Sequence, residues 1–312
     1  MFEIKRYTSD MSAAWNDFVA QSKNGTFLLD RRYMDYHADR FTDCSLMVFR
    51  RGKLYGLLPG NVAGGTFYSH QGLTYGGLVM NDKCTAADVV TILPQICRLL
   101  KEKGLRKMVY KPVPWIYHRQ PAEEDLYAIV EVCGARLLGR SLSSTITREH
   151  TNKRYRIRQN GARQARQAGV IVEETADFGP FWHILTDNLG ARYGLRPVHT
   201  LEEIQLLWQR FPDRIRLFVA KENGVAIAGT VLYVTDRVVH SQYIAANDRG
   251  KQRHALDLLF EVVIEQALEQ HTYFDFGIST EKHGTYLNEQ LIYQKEGFGG
   301  RGICYDWYEW TL

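Results

Sequence analysis

The second half of this sequence holds side chains that can take up or release a proton, namely His240, Asp275, Tyr286 and Tyr293. Asp275 lies between two phenylalanines on a strand that should be central in a sheet, where a carboxylate is costly unless it is paired or hydrogen-bonded. We interpret it either as a base or as the anchor of a loop through Ser279 or Thr280. His240, on an earlier strand, is a candidate base, and a partly buried histidine without a chemical role is the alternative.

The two tyrosines fall in a predicted helix from Thr285 to Lys295. Residues seven apart in a helix share a face, so one of these phenols could protonate a leaving group there. Packing of both rings onto a sheet is the alternative. Lys295 is expected either to contact an anionic substrate or to be solvated.

A basic segment opens the second half. It contains Arg148, Lys153, Arg154, Arg156, Arg158, Arg163 and Arg166 against the single acid Glu149. Because guanidinium groups suit phosphate, we expect Arg154 and Arg158 to bind a nucleotide-linked or lipid-linked substrate, or the backbone of tRNA. A solvated surface helix is the alternative, in which Gly161 would cost about 1 kcal/mol relative to alanine.

A turn between a strand and a long helix, predicted from about Gln252 to Gln270, could bind a phosphate-bearing cofactor. The first N–H groups of a helix have no internal partner and the helix dipole is positive there. Gly250 permits close approach of the backbone, and the neighbouring cations add charge. The residues expected to bind the cofactor are Asn247, Arg249, Gly250, Lys251, Gln252 and Arg253.

Aromatic and basic residues also gather around predicted loops of the first half. Aromatic rings with a few polar tips suit sugars and peptides in a cleft, whereas core packing is the alternative for much of this set. The residues expected to contact substrate are His70, Tyr75, Lys111 and Trp115.

The strands and helices that carry these residues occur twice in the same order. Leu46 to Phe49 aligns with Leu217 to Ala220, and Met108 to Tyr110 aligns with Tyr273 to Asp275, at a nearly constant offset. Conserved order and spacing indicate an internal duplication. We therefore predict an α/β protein with mixed sheets and two domains, residues 1–148 and 149–312.

The order strand, glycine-containing turn, long helix, strand ending Asp-Phe-Gly, helix and strand resembles the GNAT acyltransferase fold. Two such units in one chain resemble the FemAB-type transferases and the CelD-like acetyltransferases linked to cell-envelope polysaccharide genes. The matching segments are Asp275 to Ser279, Thr285-Tyr286, Asn288, Lys295 to Gly300, Lys153 to Asn160, Ser69 to Gly77 and Lys111 to His118. We expect Ser279, Asn288 and Lys295 of these segments to contact substrate, together with His283, which flanks the last helix.

The resemblance further implies transfer of an acyl group, from acetyl-CoA or another acyl-CoA, to an amine of an envelope-precursor sugar or peptide. Acetyl-CoA users of this superfamily carry Arg/Gln-x-x-Gly-x-Gly/Ala at the helix start, whereas Arg249 to Ala255 contains one glycine. A FemAB-type transfer from aminoacyl-tRNA to a peptide amine is an alternative that the basic segment favours. A third alternative is a pair of catalytically inactive domains that binds nucleotide-sugars or RNA. The absence of the second glycine of the motif favours it.

Composition narrows these alternatives. The net charge of +4 is too small to indicate a dedicated nucleic-acid binder. The five cysteines are dispersed, so we expect free thiols in a reducing cytoplasm and no metal site. No apolar stretch is long enough to span a membrane and no secretion signal follows Met1, which also predicts a cytoplasmic protein.

Overall fold

The computed structural model describes the backbone of residues 1–312 and the side chains of residues 1–191 and 194–312. The chain forms two compact units. One comprises Met1–Ser141, Lys282–Thr285 and Cys304–Leu312, and the other Leu142–Glu281 and Tyr286–Ile303. The sequence predicts a single division after residue 148, whereas each unit includes residues from both halves of the sequence.

The first half of the chain forms β1 (Phe2–Arg6), α1 (Ser12–Gln21), α2 (Arg31–Met34), β2 (Thr42–Asp43), β3 (Leu46–Arg50), β4 (Lys53–Leu58), β5 (Asn61–Ala63), β6 (Thr66–Tyr68), β7 (Val79–Met80), α3 (Ala86–Glu102), β8 (Lys107–Tyr110), α4 (Glu124–Glu131) and β9 (Arg136–Thr147). In the first unit β1, β3, β4 and β7 form an antiparallel sheet in that order. β8 pairs with β6 in parallel and, on its other side, with residues 308–311. The apolar face of α3 is buried in the core of this unit.

The second half forms α5 (Arg156–Gln167), β10 (Ile171–Thr175), α6 (Gly179–Tyr193), α7 (Leu201–Arg210), β11 (Ile215–Glu222), β12 (Val225–Val234), β13 (Val238–Ala246), α8 (Asp248–Gln252), α9 (Ala255–Gln270), β14 (Tyr273–Ile278), β15 (Thr280–Glu281), β16 (Tyr286–Leu287), α10 (Glu289–Glu296) and β17 (Arg301–Thr311). In the second unit β10, β11, β12 and β13 are antiparallel neighbours in that order. β14 is parallel to β13, and residues 143–147 of β9 pair antiparallel with the other side of β14. The α/β class and the repeated order of elements are therefore confirmed.

The core of the second unit lies between this sheet and α9. Leu259, Val263 and Phe274 are almost completely buried in it. α5 packs against α9 so closely that a Cβ on Gly161 would lie 2.0 Å from Asp257 Oδ2. The glycine that weakens an isolated helix is thus required by the contact between two helices.

Two helix predictions are wrong in their bounds. The helix predicted from about Gln252 begins as α9 only at Ala255, and Gln252 is the last residue of the separate α8, because His254 between them has a left-handed backbone with φ of 53°. The predicted helix from Thr285 begins only at Glu289, where the Asn288 side chain accepts a hydrogen bond from Leu291 N. The residues before it pair as β16 with β15.

Candidate functional site

The pairing of β13 with β14 brings His240 and Asp275 together. His240 lies opposite Asp275 in the parallel register, and its Nδ1 lies 2.8 Å from Asp275 Oδ2. When Nδ1 donates its proton to the carboxylate, Nε2 carries the ring's lone pair. Nε2 has no hydrogen-bond partner among the described side chains, and the ring keeps 14% of its surface exposed. This geometry is that of a proton acceptor oriented by a carboxylate.

Asp275 is completely buried and ionised. Its Oδ1 accepts hydrogen bonds from the hydroxyl groups of Ser143 and Thr145, the latter at 2.8 Å. Burial alone would raise the pKa of Asp275, but the hydrogen bond and charge of His240, together with the two hydroxyls, lower that pKa to about 2. The carboxylate is thus suited to orient His240 rather than to accept a proton. The loop contact predicted from sequence does not form through the hydroxyls of Ser279 and Thr280, which are buried and have no hydrogen-bond partner among the described residues.

Sequence reasoning missed Ser143 and Thr145. Their spacing of two residues places both hydroxyls on one face of a strand, which is the only signal the sequence holds. The sequence does not reveal which strand lies opposite them, since Thr145 pairs with Asp275 across 130 residues of chain.

A pocket lies where β13 and β14 separate. Their pairing ends at His240 and Asp275, whereas β13 continues to Ala246. Beyond this point a pocket of ≈ 220 Å³ is lined by apolar side chains that include Ile244, Phe260, Phe276, Leu291 and Phe298. Its polar lining comes from Asn188, Lys251, Gln294 and Lys295.

Lys295 is buried in the wall of this pocket, not solvated. Its Nζ donates to the carbonyl oxygens of Gly277 and Ile278, each at 2.8 Å. Burial lowers the pKa of Lys295 to about 8, although the charge of Asp275 acts in the opposite direction. The backbone at Gly277 also borders His240, because a Cβ there would lie 3.2 Å from His240 Cε1. The base candidate and the buried lysine therefore flank one short segment of β14.

The predicted cofactor turn has structural partners of its own. Asn247 Oδ1 accepts from Gly250 N at 2.8 Å, and a Cβ on Gly250 would lie 2.2 Å from Ile227 O. Arg249 and Arg253 both pair with Glu222, at 2.6 Å and 2.7 Å. The glycine is thus required by packing against β12, and two of the cations are partly neutralised. Lys251 pairs with Asp248 and also lines the pocket, and Gln252 is exposed. Phosphate binding by this turn stays a prediction.

The basic segment divides into two groups. Arg154, Arg158 and Arg166 form ion pairs with carboxylates of α9, with Arg158 Nη1 at 2.7 Å from Asp257 Oδ1. Arg148, Lys153, Arg156 and Arg163 are exposed and form no ion pair with the described residues. The first group stabilises the packing of α5 on α9, so the cations available to a ligand are those of the second group.

The remaining candidates before and within α10 differ in secondary structure and in exposure. Tyr286 lies on β16, so the shared helical face predicted for it and Tyr293 is wrong, and both rings are half exposed rather than packed on a sheet. Tyr293 contacts Tyr155, with ring centroids 5.4 Å apart. Asn288 caps α10, and His283, in the first unit, is exposed beside Trp307.

The candidates of the first half are mostly buried. His70 is 3% exposed, and burial, followed by the charge of His37, lowers the pKa of His70 to about 3. The Tyr75 hydroxyl lies 3.1 Å from Thr26 Oγ1 in the core. Lys111 donates to Leu73 O, and burial lowers the pKa of Lys111 to about 8. Trp115 is 46% exposed, so it is the member of this set most accessible to a substrate.

The cysteines, the apolar helices and the possible metal ligands add little to the description of this site. The five cysteines are free thiols, two of them buried. Among the described residues, no helix is long and apolar enough to cross a membrane. The described side chains likewise contain no cluster of three or more His, Cys, Asp or Glu residues that could hold a metal ion.

Comparisons with known proteins agree with this fold. Residues 151–285 match the family described as acetyltransferase (GNAT) domain. The fold is similar to FemX, with a TM-score of 0.71 and 12% identity over 99% of this chain and 97% of that chain. It is also similar to L-PGS from Bacillus licheniformis (TM-score 0.60, 11% identity, 97% and 91% covered) and to a tandem GNAT protein of the clavulanic acid biosynthesis pathway (0.50, 11%, 100% and 98%). No curated protein matches the sequence. The chain therefore has the fold of two tandem GNAT-like domains, and its residues 151–285 are the part that matches the acetyltransferase (GNAT) domain family.

Proposed function

We propose that the second unit transfers an acyl group to a primary amine, with His240 as the proton acceptor. The observation that carries this proposal is the His240–Asp275 pair at the point where β13 and β14 separate. An attacking amine must lose a proton as its bond to the acyl carbon forms, and the free Nε2 can take that proton. Asp275 stabilises the resulting imidazolium, since its pKa of about 2 keeps it ionised at neutral pH.

The pocket beside this pair supports a thioester donor such as acetyl-CoA or another acyl-CoA. Beyond His240, β13 no longer pairs with β14, so the backbone N–H and C=O groups on this edge of β13 can form hydrogen bonds with a donor molecule. The exception is Ala246 O, which accepts a hydrogen bond from Asn188. The apolar lining suits the acyl group, and the turn from Asn247 to Arg253 would hold the phosphates. The acceptor follows from the resemblance to FemAB-type and CelD-like enzymes: an amine of an envelope-precursor sugar or peptide.

A second candidate is transfer from aminoacyl-tRNA, which the exposed cations of the basic segment favour. Arg156 and Arg163 are seven residues apart and share the outer face of α5, with no carboxylate paired to either in the described structure. Similarity to FemX and L-PGS is compatible with such a donor. In this function α5 contacts the phosphate backbone, whereas in the first it is a surface helix.

The test is release of thiol from acetyl-CoA in the presence of amino sugars or of peptides with a free amino terminus. His240→Gln should lower kcat/KM by on the order of 10²–10⁴-fold. His183→Gln, which changes an exposed histidine of α6, is the matched control and should leave the rate unchanged. Retention of activity within about threefold by His240→Gln would refute the assignment of the base.

The second candidate is tested by titration of the protein with tRNA at increasing salt. Double replacement of Arg156 and Arg163 by glutamine should weaken binding and reduce its salt dependence. Replacement of Arg166 alone, which is already paired with Glu261, removes one charge and should have less than half the effect of the double replacement. An equal effect per charge removed in the two variants, or no tRNA binding at low salt, would exclude this candidate.

A further inference from the structure

The pocket of the second unit contains an amine that the proposed proton transfer does not use. Lys295 lines the pocket and is 5% exposed. Its Nζ donates to two backbone carbonyls, those of Gly277 and Ile278. No carboxylate of the described side chains lies within ion-pair distance of this nitrogen, and Asp275 acts on it only through its charge.

An uncharged amine fits these partners better than an ammonium group does. An amine has two N–H bonds and a lone pair, whereas an ammonium has three N–H bonds and no lone pair. The two carbonyls satisfy two N–H bonds, so a third would be left without a protein acceptor in a buried position. Tetrahedral geometry directs the lone pair of the amine away from both carbonyls.

The surroundings of Lys295 also raise the fraction of uncharged amine above that of an ordinary lysine. Burial lowers the pKa of Lys295 to about 8 against the opposing charge of Asp275, and Lys251 is the other cation of the pocket. At pH 7 roughly one molecule in ten then carries the uncharged amine, compared with roughly one in three thousand for an ordinary lysine. A nucleophilic nitrogen is therefore present in the wall of the pocket.

We propose that Lys295 is a site of self-acylation, which receives the acyl group of a thioester donor when no acceptor amine is bound. This inference rests on the proposed function for the presence of the donor. The lone pair of Nζ attacks the acyl carbon, the N–C bond forms and the C–S bond breaks. The proton lost by nitrogen goes to the departing thiolate, so the products are Nε-acyl-lysine and a free thiol.

The modification has a structural consequence. An amide nitrogen carries one hydrogen, so either Gly277 O or Ile278 O loses its donor. The acyl group also occupies space in a pocket of ≈ 220 Å³. Acylated protein should therefore lose transfer activity, which would limit turnover when donor is abundant and acceptor scarce.

The full chain supplies its own control for a test. Lys251 lines the same pocket but its Nζ lies 2.7 Å from Asp248 Oδ1 and its side chain is 45% exposed. The protein is incubated with acetyl-CoA without acceptor at pH 8, and acetylated peptides are quantified by mass spectrometry. We expect acetylation at Lys295 to exceed that at Lys251 by at least about tenfold, because Lys251 Nζ is held by the Asp248 carboxylate whereas Lys295 Nζ donates only to two carbonyls, and to be absent from folded Lys295→Arg.

The outcomes separate this inference from the proposed function. Transfer to amines without acetylation of Lys295 overturns the inference and leaves the function intact. If acetyl-CoA supports neither reaction, the protein is treated instead with a limiting amount of N-hydroxysuccinimidyl acetate, which acetylates amines without a donor site. The relative labelling of Lys295 and Lys251 is then measured. Preferential labelling of Lys295 over Lys251 then supports the nucleophilic lysine and rejects only the donor, whereas equal or lower labelling overturns the inference.

Discussion

Replacing Asp275 with asparagine removes the charge that orients His240 but preserves the size of the side chain. Asp275 Oδ1 accepts from the hydroxyls of Ser143 and Thr145, so the asparagine oxygen should take that position. The amide nitrogen would then face His240 Nδ1, and two N–H donors cannot face each other. We expect the imidazole to accept at Nδ1 and to carry its proton on Nε2, the atom that must act as base.

The magnitude follows from two effects. A base in the wrong tautomer should lower kcat/KM by on the order of 10²–10⁴-fold. The fall of the Asp275 pKa from 3.8 to about 2 corresponds to about 2 kcal/mol of stability. Because the folded pKa is the lower one, this stability is present above about pH 4 and is lost as the pH falls through 2. Asp275→Asn should therefore be less stable at pH 7 and should depend less on pH between 4 and 2.

Three measurements check this reasoning. Thiol release from acetyl-CoA gives kcat/KM, imidazole nitrogen chemical shifts report the tautomer of His240, and denaturant unfolding at pH 7 and pH 3 gives stability. Ser143→Ala, which removes one of two hydroxyl donors to Oδ1, is the milder control and should cost less than about tenfold in rate. The reasoning is refuted if Asp275→Asn keeps its rate within about threefold, or if it loses the rate while Nε2 remains unprotonated.

Two further predictions concern stability. Gly250→Ala should destabilise the chain by about 1–3 kcal/mol because a Cβ would lie 2.2 Å from Ile227 O. Gly190→Ala, whose Cβ would meet open space beside α6, should stabilise the chain by up to about 1 kcal/mol. Equal unfolding midpoints for the two variants would contradict this contrast. Burial raises the pKa of Asp125 to about 7 despite the hydrogen bond from Tyr110, so wild-type stability should fall by on the order of 4 kcal/mol as the pH rises from 4 to 7. Asp125→Asn should remove that slope in unfolding measurements, and an unchanged slope would show that other groups cause it.

Local patterns were sufficient for much of the fold. An Asn-Gly pair between two apolar runs indicates a tight hairpin turn, and Asn223-Gly224 joins β11 to β12 with φ of 50° and 80°, because this pair tolerates the left-handed backbone. Helix bounds were less certain. The start of α10 was misplaced because the capping contact of Asn288 outweighs the periodicity of the preceding residues.

The contacts within the candidate site could not be predicted from local sequence patterns. His240 and Asp275 were both identified as candidates, because a histidine and a carboxylate on apolar strands need partners. Their contact depends on the register of β13 with β14, and the role of Asp275 depends on hydroxyls from β9. The choice between base and orienting anion therefore required the fold.

The repeated order of elements, the α/β class and the residues able to do chemistry could be predicted from the amino-acid sequence, since periodicity, turns and side-chain type are local properties. The strand that faces Asp275, and the pairing of Arg158 of the basic segment with Asp257 of α9, depend on the fold. So does the position of Lys295 in the wall of a pocket. The physical reason is that each of these outcomes is a contact between residues far apart in the chain, whose pairing is set by the packing of whole strands and helices.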